Sequence, residues 1–293
     1  MVNITTFLFA FDFQLKGESE VQYRVFDQDN DSSTQDTNLF FINQLQTTVK
    51  KKSNIFKSKL FLQQDINDKY KATFIVEKLY YLIQRANYDT VLGAKTLNWS
   101  TLKAFHPADV INSKNYNSSF KNPVKIGEPI ASYKYYYNES SIAFYYMPYI
   151  MNPIFATQSS RIKISDLAIG SAKYYNKSAK EITNNQFNQI AIKLDHTLNQ
   201  ADLSVYYIDH IDRSQPIFSV ANARLIPNYF RVKQFGFTLQ SVVDDLLLKA
   251  EFGYRNFIGS TFNMIPSDHS QLALGTEYTY YHPNKFESTI FLE

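Results

Sequence analysis

The side chains that most often carry out catalysis are sparse and scattered in this sequence. Its five histidines do not form a His-Glu-x-x-His pattern or another spacing typical of metal ligands, and the chain contains no cysteine. The nucleophile-elbow, P-loop and dinucleotide-binding fingerprints are also absent. We therefore predict no enzymatic activity, no metal site and no cofactor. A serine–histidine pair brought together by neighbouring strands would escape this test.

One segment combines charged, aromatic and turn-forming residues in a definite order. Its members are Gly93, Lys95, Trp99, Phe105, His106, Pro107, Asp109 and Asn112. In one interpretation the segment folds into the interior of a barrel and forms a constriction, with Lys95, His106 and Asp109 near the pathway. In the other it is a packed loop in which Asp109 and Asn112 cap turns and Trp99 fills space. The two interpretations are compatible.

A second group consists of charged side chains that alternate with apolar ones. These residues are Lys71, Glu77, Lys193, Asp195, Asp202, Lys249, Glu251, Arg255 and Glu277. On a strand, such alternation places the charges on one face and the apolar residues on the other. Lining a water-filled lumen, the charges would tune ion selectivity, and their mixed signs argue against strong selectivity. Paired across neighbouring strands, they would only hydrate a plugged interior.

The clearest element that positions such charges is the segment 189–207. Every second residue from Ile190 to Leu198 is apolar or aromatic, and the alternation resumes after Asn199-Gln200 and continues to Tyr207. Two such runs across a two-residue turn predict an antiparallel hairpin. About ten residues is also the length that a tilted strand needs to cross a bilayer. We predict that the apolar face contacts lipid and that the polar face lines a lumen.

Comparable segments recur, and we count roughly thirteen strands. From residue 98 onward long and short connections alternate, as in transmembrane barrels. The predicted fold is all-β: one antiparallel up-and-down transmembrane β-barrel over residues 15–293, preceded by a signal-peptide remnant or lead-in at residues 1–14. The odd strand count and a chain that stops within an alternating segment predict a barrel incomplete at its C-terminus. The long loops are predicted at residues 98–128, 149–186, 210–227 and 256–270, with a short helix near 164–168.

The composition fits this fold. Aromatic residues make up 16% of the chain, although the mean hydropathy is only −0.32, and no run of eighteen apolar residues predicts a transmembrane helix. Tyrosine pairs at strand ends favour aromatic girdles at the membrane interfaces, although strand propensity also enriches tyrosine. The net charge of +3, from scattered lysines, gives no indication of nucleic-acid binding. The tyrosine pairs are Tyr80-Tyr81, Tyr145-Tyr146, Tyr206-Tyr207 and Tyr280-Tyr281.

The segment from Gly93 to Asn112 resembles a loosely characterised family of Gram-negative outer-membrane, porin-like barrel proteins, distantly akin to alginate-export porins. Its members carry a strand with a glycine and a basic residue, then a tryptophan, then Phe-x-Pro-x-Asp-x-x-Asn, which this chain matches from Phe105 to Asn112. The chain departs at Ser113-Lys114-Asn115, where relatives often have Pro-Arg-Asp. The resemblance implies a location in the bacterial outer membrane and passive transport, without naming a solute.

The resulting functional prediction is a porin-like channel for passive diffusion of small solutes through a mixed-charge lumen. Its expected partners are outer-membrane lipid, small solutes and other envelope proteins, with no nucleic acid. One alternative is a non-conducting barrel with a structural or export-accessory role, and another is a soluble β-sandwich or lectin-like module. A sandwich would bury its apolar side chains between two layers, so the direction of those side chains separates it from a barrel.

Overall fold

The computed structural model describes residues 11–26, 36–66, 72–118, 123–160, 163–176, 178, 180–183, 186–214, 216–258, 266–282 and 286–293. None of these residues belongs to a helix that is long and apolar enough to cross a membrane. Their regular structure is entirely β. The strands are β1 (Asp12–Val25), β2 (Thr37–Lys51), β3 (Asn54–Asp65), β4 (Thr73–Gln84), β5 (Tyr88–Lys95), β6 (Lys114–Asn115), β7 (Val124–Lys125), β8 (Glu128–Tyr137), β9 (Ser140–Tyr149), β10 (Ala168–Ile169), β11 (Lys173–Tyr175), β12 (Glu181–Ile182), β13 (Gln186–Leu198), β14 (Ala201–Ile211), β15 (Ile217–Ala221), β16 (Arg224–Val243), β17 (Leu246–Phe257), β18 (His269–Tyr281) and β19 (Glu287–Leu292).

Thirteen strands of the described chain form one antiparallel up-and-down ladder, each paired with the next long strand along the sequence. Their order is β1–β2–β3–β4–β5–β8–β9–β13–β14–β16–β17–β18–β19. The predicted all-β, up-and-down fold is therefore confirmed. Strands β1 and β19 are the two edges, and no backbone pairing among the described residues joins them.

Tight turns lie at one end of the ladder. Three of them contain a residue with positive φ, namely Lys52, Asn138 and Asp244. Asparagine and aspartate tolerate this left-handed conformation better than most residues, which explains why the chain reverses at Asn138 and Asp244. The longer connections lie at the opposite end, so the two ends of the sheet differ as they do in transmembrane barrels.

The direction of the side chains decides between a barrel and a soluble sandwich. In the hairpin of β13 and β14, Ile190 and Leu194 are 46% and 49% exposed, whereas Gln189 and Ala191 on either side of Ile190 are 0% and 1% exposed. The same inversion holds on β1, where Val21 is 61% exposed although it is apolar. Soluble proteins bury such residues, whereas a barrel turns them towards lipid. The fold is thus a transmembrane β-barrel sheet with an apolar outer face and a polar inner face, and the sandwich is excluded.

A small accessory sheet extends the long-loop end of the ladder. Strand β16 runs twenty residues, and its first part pairs with β15, β10 and β11. A cluster of Ile150, Tyr174, Phe187, Ile211 and Tyr229 fills the space beneath it. These apolar and aromatic residues provide the burial that stabilises short strands, which isolated hairpins lack.

Two predictions in this region were wrong. Residues 164–168 do not form a helix; they bend and lead into β10. The interval 210–227, predicted as a loop, contains the end of β14, all of β15 and the start of β16. The β15–β16 turn at Asn222-Ala223 has positive φ at both residues, and Ala223 gives no turn signal in the sequence.

The tyrosine pairs also need a correction. Because successive strand residues point to opposite faces, both members of a pair cannot contact lipid. Tyr81 is 44% exposed on the outer face, whereas Tyr80 and Tyr206 are only 6% and 1% exposed on the inner face. The pairs Tyr80-Tyr81 and Tyr206-Tyr207 therefore contribute at most one tyrosine each to a girdle.

Some predictions fall on residues outside the described ranges. These include Lys71, most of the lead-in at residues 1–14, and part of the loop predicted at 256–270. Within the lead-in, the described residues from Asp12 onward already belong to β1.

Candidate functional site

The connection between β5 and β8, described at residues 96–118 and 123–127, folds against the inner face of the sheet. We call it the inner loop. The N–H groups of Lys103 and Ala104 donate hydrogen bonds of 2.7 and 2.6 Å to the carboxylate of Glu293, which follows β19. The loop therefore leaves the wall at β5 and reaches β17 to β19, on the far side of the ladder. A segment that crosses the interior in this way narrows it.

Glu251 of β17 holds the middle of the inner loop. Its Oε1 accepts hydrogen bonds from the N–H groups of Thr101 and Leu102 at 2.5 and 2.9 Å, and from the Ser100 hydroxyl at 2.5 Å. Its Oε2 accepts a 3.3 Å hydrogen bond from the Ala108 N–H. Glu251 is 0% exposed, so this predicted lumen residue is committed to the loop and does not face open water.

Asn112 closes the two ends of the inner loop. Its Oδ1 accepts a 2.7 Å hydrogen bond from the Leu97 N–H, and its Nδ2 donates to the carbonyl groups of Lys95 and Ile126 at 3.1 and 2.9 Å. Leu97 and Ile126 lie outside the strands, so the bonds to these two residues satisfy backbone groups that have no ladder partner. The Asn112 side chain therefore fixes the loop's base.

An ion pair adds to this closure inside the loop. Lys125 Nζ lies 2.7 Å from the Asp109 carboxylate and also donates to the Leu97 carbonyl at 2.8 Å. Asp109 is 9% exposed, so this predicted pathway residue is shielded by the loop itself. Burial lowers the pKa of the neighbouring Lys114 ammonium; the Asp109 carboxylate opposes this effect and the Lys125 charge adds to it.

Trp99 anchors the inner loop to the centre of the wall. Its ring lies 5.4 Å from that of Tyr145 and 5.5 Å from that of Tyr206, at tilted angles typical of favourable aromatic pairs. It belongs to a buried cluster that includes Val110 of the loop and Ile208 of β14. The space-filling role proposed for Trp99 agrees with this packing.

Most charged residues predicted on the inner face are matched with an opposite charge. Lys193 and Lys134 both contact Asp195, and the Lys134–Asp195 distance is 3.1 Å. Lys249 and Lys103 both contact Glu277. Because each cation shares a carboxylate with another cation, these groups form short networks and not isolated pairs.

The remaining predicted charges have different partners. Lys59 pairs with Glu77 at 2.9 Å, and Asp202 accepts a 2.8 Å hydrogen bond from the Thr197 hydroxyl. Arg255, 2% exposed, contacts Asp212 at 3.3 Å. A buried pair of this kind fixes the geometry of its neighbours and does not face solvent.

The serine–histidine test gives one candidate in the inner loop. The Ser100 hydroxyl lies 2.8 Å from His106 Nδ1, but the carboxylate of Glu251 contacts the serine and not the histidine. In a catalytic triad the acid orients the histidine, which then removes the serine proton. Here the carboxylate contacts the serine instead, so these hydrogen bonds hold the loop together and do not form a triad. No group of three or more metal-binding side chains occurs among the described residues.

Several residues at the site escaped the sequence analysis. Glu293 holds the loop tip, and Glu128, which is 0% exposed, contacts Arg213 at 3.2 Å. Lys57 and Lys78 occupy the inner face of β3 and β4. Strand alternation could have indicated Lys57. It could not have indicated Lys78, which follows the inward Glu77 and faces inward only because of the register shift between Lys59 and Leu60. The other contacts join residues that are distant in sequence. The pKa of the Glu293 carboxyl is lowered from its ordinary value. Partial burial by itself would raise this pKa, but the hydrogen bonds from the N–H groups of Lys103 and Ala104 stabilise the ionised carboxylate.

The inner face remains open beside β1 to β3. A polar pocket of about 160 Å³ is lined there by side chains from three adjacent strands. Its lining residues are Lys16, Glu18, Gln44, Gln46 and Lys59. The interior thus has a filled half, occupied by the inner loop and β13 to β17, and an open half lined by charged and amide groups.

Comparisons with known proteins give only distant likenesses. No protein-family model and no curated protein matches the chain. Among solved structures, the chain is similar to OmpF of Salmonella typhi in a complex with daunomycin, with 10% identity and a TM-score of 0.46 over 92% of this chain and 75% of that one. It is also similar to a loop-deleted OmpT of Vibrio cholerae, with 10% identity and a TM-score of 0.35 over 92% and 88% of the two chains. A mutant Rh. blastica porin gives 11% identity and a TM-score of 0.32 over 91% and 89%. At these identities and TM-scores, only the chain's own residues indicate its function.

Proposed function

We propose that this protein is a porin-like channel of the bacterial outer membrane, through which small solutes diffuse passively. The observation that carries the proposal is the inverted side-chain distribution: an apolar outer face surrounds an inner face of charged and amide groups. Lipid on the outside and water on the inside is the environment that such a sheet requires. Envelope lipid and small solutes are accordingly its partners in this proposal.

The inner loop acts as the constriction. It crosses to Glu251 and Glu293 and packs Trp99 against the wall, so that one half of the interior is closed. Solutes pass along the other half, beside β1 to β4, where Lys16 and Glu18 are exposed to the interior. Charged groups of both signs line this route, including Lys16 and Glu18 on β1 and the Lys59–Glu77 pair on β3 and β4.

A second function is favoured by the packing of the filled half. Gln189, Ile208 and Gln234 on the inner face are 0% exposed, as in a plugged interior. A barrel that is closed along its whole length would serve a structural or export-accessory role. The two functions differ only in whether the half beside β1 to β4 provides a continuous aqueous path.

Planar-bilayer recording separates them. The purified full chain, refolded in detergent, is added to one side of a bilayer in 1 M KCl. A steady current that rises linearly with voltage supports the channel, whereas silence from chain whose insertion is verified by protease protection supports the plug. Trp99→Ala provides a second measurement, because a smaller side chain at the anchor should increase the conductance of a channel that the inner loop narrows.

A further inference from the structure

The inner face of β3, β4 and β5 carries a cluster of lysines close to the base of the inner loop. The register places Lys59 opposite Lys78 and Lys57 opposite Tyr80. Lys95 lies one residue beyond the pair of Leu79 with Ala94, beside Lys78. Adjacent strands are about 4.8 Å apart, so these side chains crowd one area of the wall.

Three of these lysines differ from the cations elsewhere on the inner face. Lys59 pairs with Glu77, but neither Lys57 nor Lys78 has an ion pair or a side-chain hydrogen bond with any residue that the structure describes. The Lys95 ammonium contacts only a ring, lying 5.3 Å from the centroid of Tyr80. Like charges on neighbouring strands destabilise a sheet. A counter-charge bound to the cluster would therefore stabilise it.

The surrounding charges do not supply it. Among the described residues, Lys78, Lys57 and Lys134 act on Lys95 as like charges, and Asp89 acts on it as an opposite charge. The Asp89 carboxylate already accepts a 2.8 Å hydrogen bond from the Tyr136 hydroxyl. Lys134 is itself paired with Asp195, so the excess positive charge belongs to the three unpaired lysines.

One position on the floor of the cluster carries no side chain. Gly93, opposite Tyr80, has a φ of 130°, and a Cβ atom there would lie 2.3 Å from the Leu79 carbonyl oxygen. No side chain can therefore stand at this position, and the wall beneath the ammonium groups consists of backbone and the Tyr80 ring. Lysines act as compact point charges with several donors, which suits tetrahedral oxyanions.

We propose that Lys57, Lys78 and Lys95 form a binding site for a small multivalent oxyanion, namely phosphate or a phosphate monoester. The proposal names the solute class of the channel and in that respect rests on the proposed function. The site lies where the inner loop leaves the wall, because the Lys95 carbonyl accepts a hydrogen bond from Asn112. An anion held there neutralises the lysines and occupies the edge of the constriction.

Calorimetric titration of the refolded full chain in detergent with inorganic phosphate tests the site directly. The site variant is K57Q/K78Q/K95Q, and the control is K52Q/K180Q/K233Q, which removes the same total charge from side chains that have no partner among the described residues. We expect the site variant to bind phosphate at least about tenfold more weakly and the control to bind like the parent chain. Equal affinities in both variants, or no binding by the parent chain, would overturn the proposal.

Two additional measurements keep the outcome clear. If the triple variant fails to fold, Lys78→Gln alone should still weaken phosphate binding, because it removes the central charge of the cluster. Conductance is recorded separately on the same preparations. A parent chain that conducts but does not bind phosphate refutes the site, whereas one that binds phosphate but carries no current refutes the channel.

Discussion

Removing the Glu251 carboxylate should release the inner loop from β17. In Glu251→Ala the N–H groups of Thr101, Leu102 and Ala108 lose their acceptor. Hydrogen bonds to a charged group contribute about 1.5–3 kcal/mol each, and a buried donor left without a partner costs about 1–3 kcal/mol. Allowing for partial rescue by water, we expect the docked loop to lose about 3 kcal/mol, which increases the population of the open loop roughly 100-fold.

A thiol-labelling assay measures this opening, because the chain has no cysteine of its own. Leu102 is 5% exposed, so a cysteine in Leu102→Cys reacts only when the loop opens. We expect labelling in the Glu251→Ala background to be roughly 100-fold faster than in the parent, and in Glu251→Gln to be intermediate, since the amide retains one acceptor oxygen.

The control is Glu20→Ala on the inner face of β1, whose carboxylate contacts only Gln22 among the contacts described. Its labelling rate should equal that of the parent. If Glu251→Ala also labels within about threefold of the parent, the loop is held mainly by other contacts, and the magnitude assigned here to the carboxylate is wrong.

Three further predictions concern the loop, the membrane face and pH. Asn112→Ala removes three hydrogen bonds to the loop backbone and should lower the free energy of unfolding by about 2–4 kcal/mol, measured by urea titration in detergent; an unchanged midpoint would contradict the closure. Ile192→Arg places a charge on the outer face in mid-strand and should cost about 2–4 kcal/mol on folding into lipid vesicles, whereas Ile192→Val should be nearly neutral. Because the folded-state pKa of Glu293 is lowered, its hold on the loop is present above the ordinary value of 4.5 and is lost as pH falls below it. A fluorine NMR tag at Lys103→Cys should report this change, and Glu293→Gln should abolish it.

The path of the inner loop separates the acidic residues that contact it from the unpaired lysines, because the two groups lie on different strands of the sheet. Glu251 and Glu277 lie on β17 and β18, where they bind the inner loop or its neighbouring lysines. The unpaired lysines lie on β3 to β5, where the loop starts. The loop therefore contacts the acidic residues of one wall and leaves the lysines of the other wall without a partner among the described residues.

The sequence by itself determined the strands and the directions of their side chains. Alternation is a local property with a period of two residues, so Ile190 and Leu194 on one face and Gln189 and Lys193 on the other follow directly from it. Together with the tight turns, this pattern determines an up-and-down sheet whose outer face is apolar. The fold class and the ladder could therefore be predicted without coordinates.

Only the tertiary structure decided what the inward charges do. Glu251 and Thr101 are 150 residues apart in sequence, and no local pattern links a strand residue to the loop that it holds. The strand period shows that Glu251 points inward, but it does not show that backbone N–H groups occupy its carboxylate. It would place Lys78, which directly follows the inward Glu77, on the outer face; a register shift between Lys59 and Leu60 turns Lys78 inward, where it has no partner among the described residues. That difference arises because the loop crosses to one wall and leaves the other uncovered.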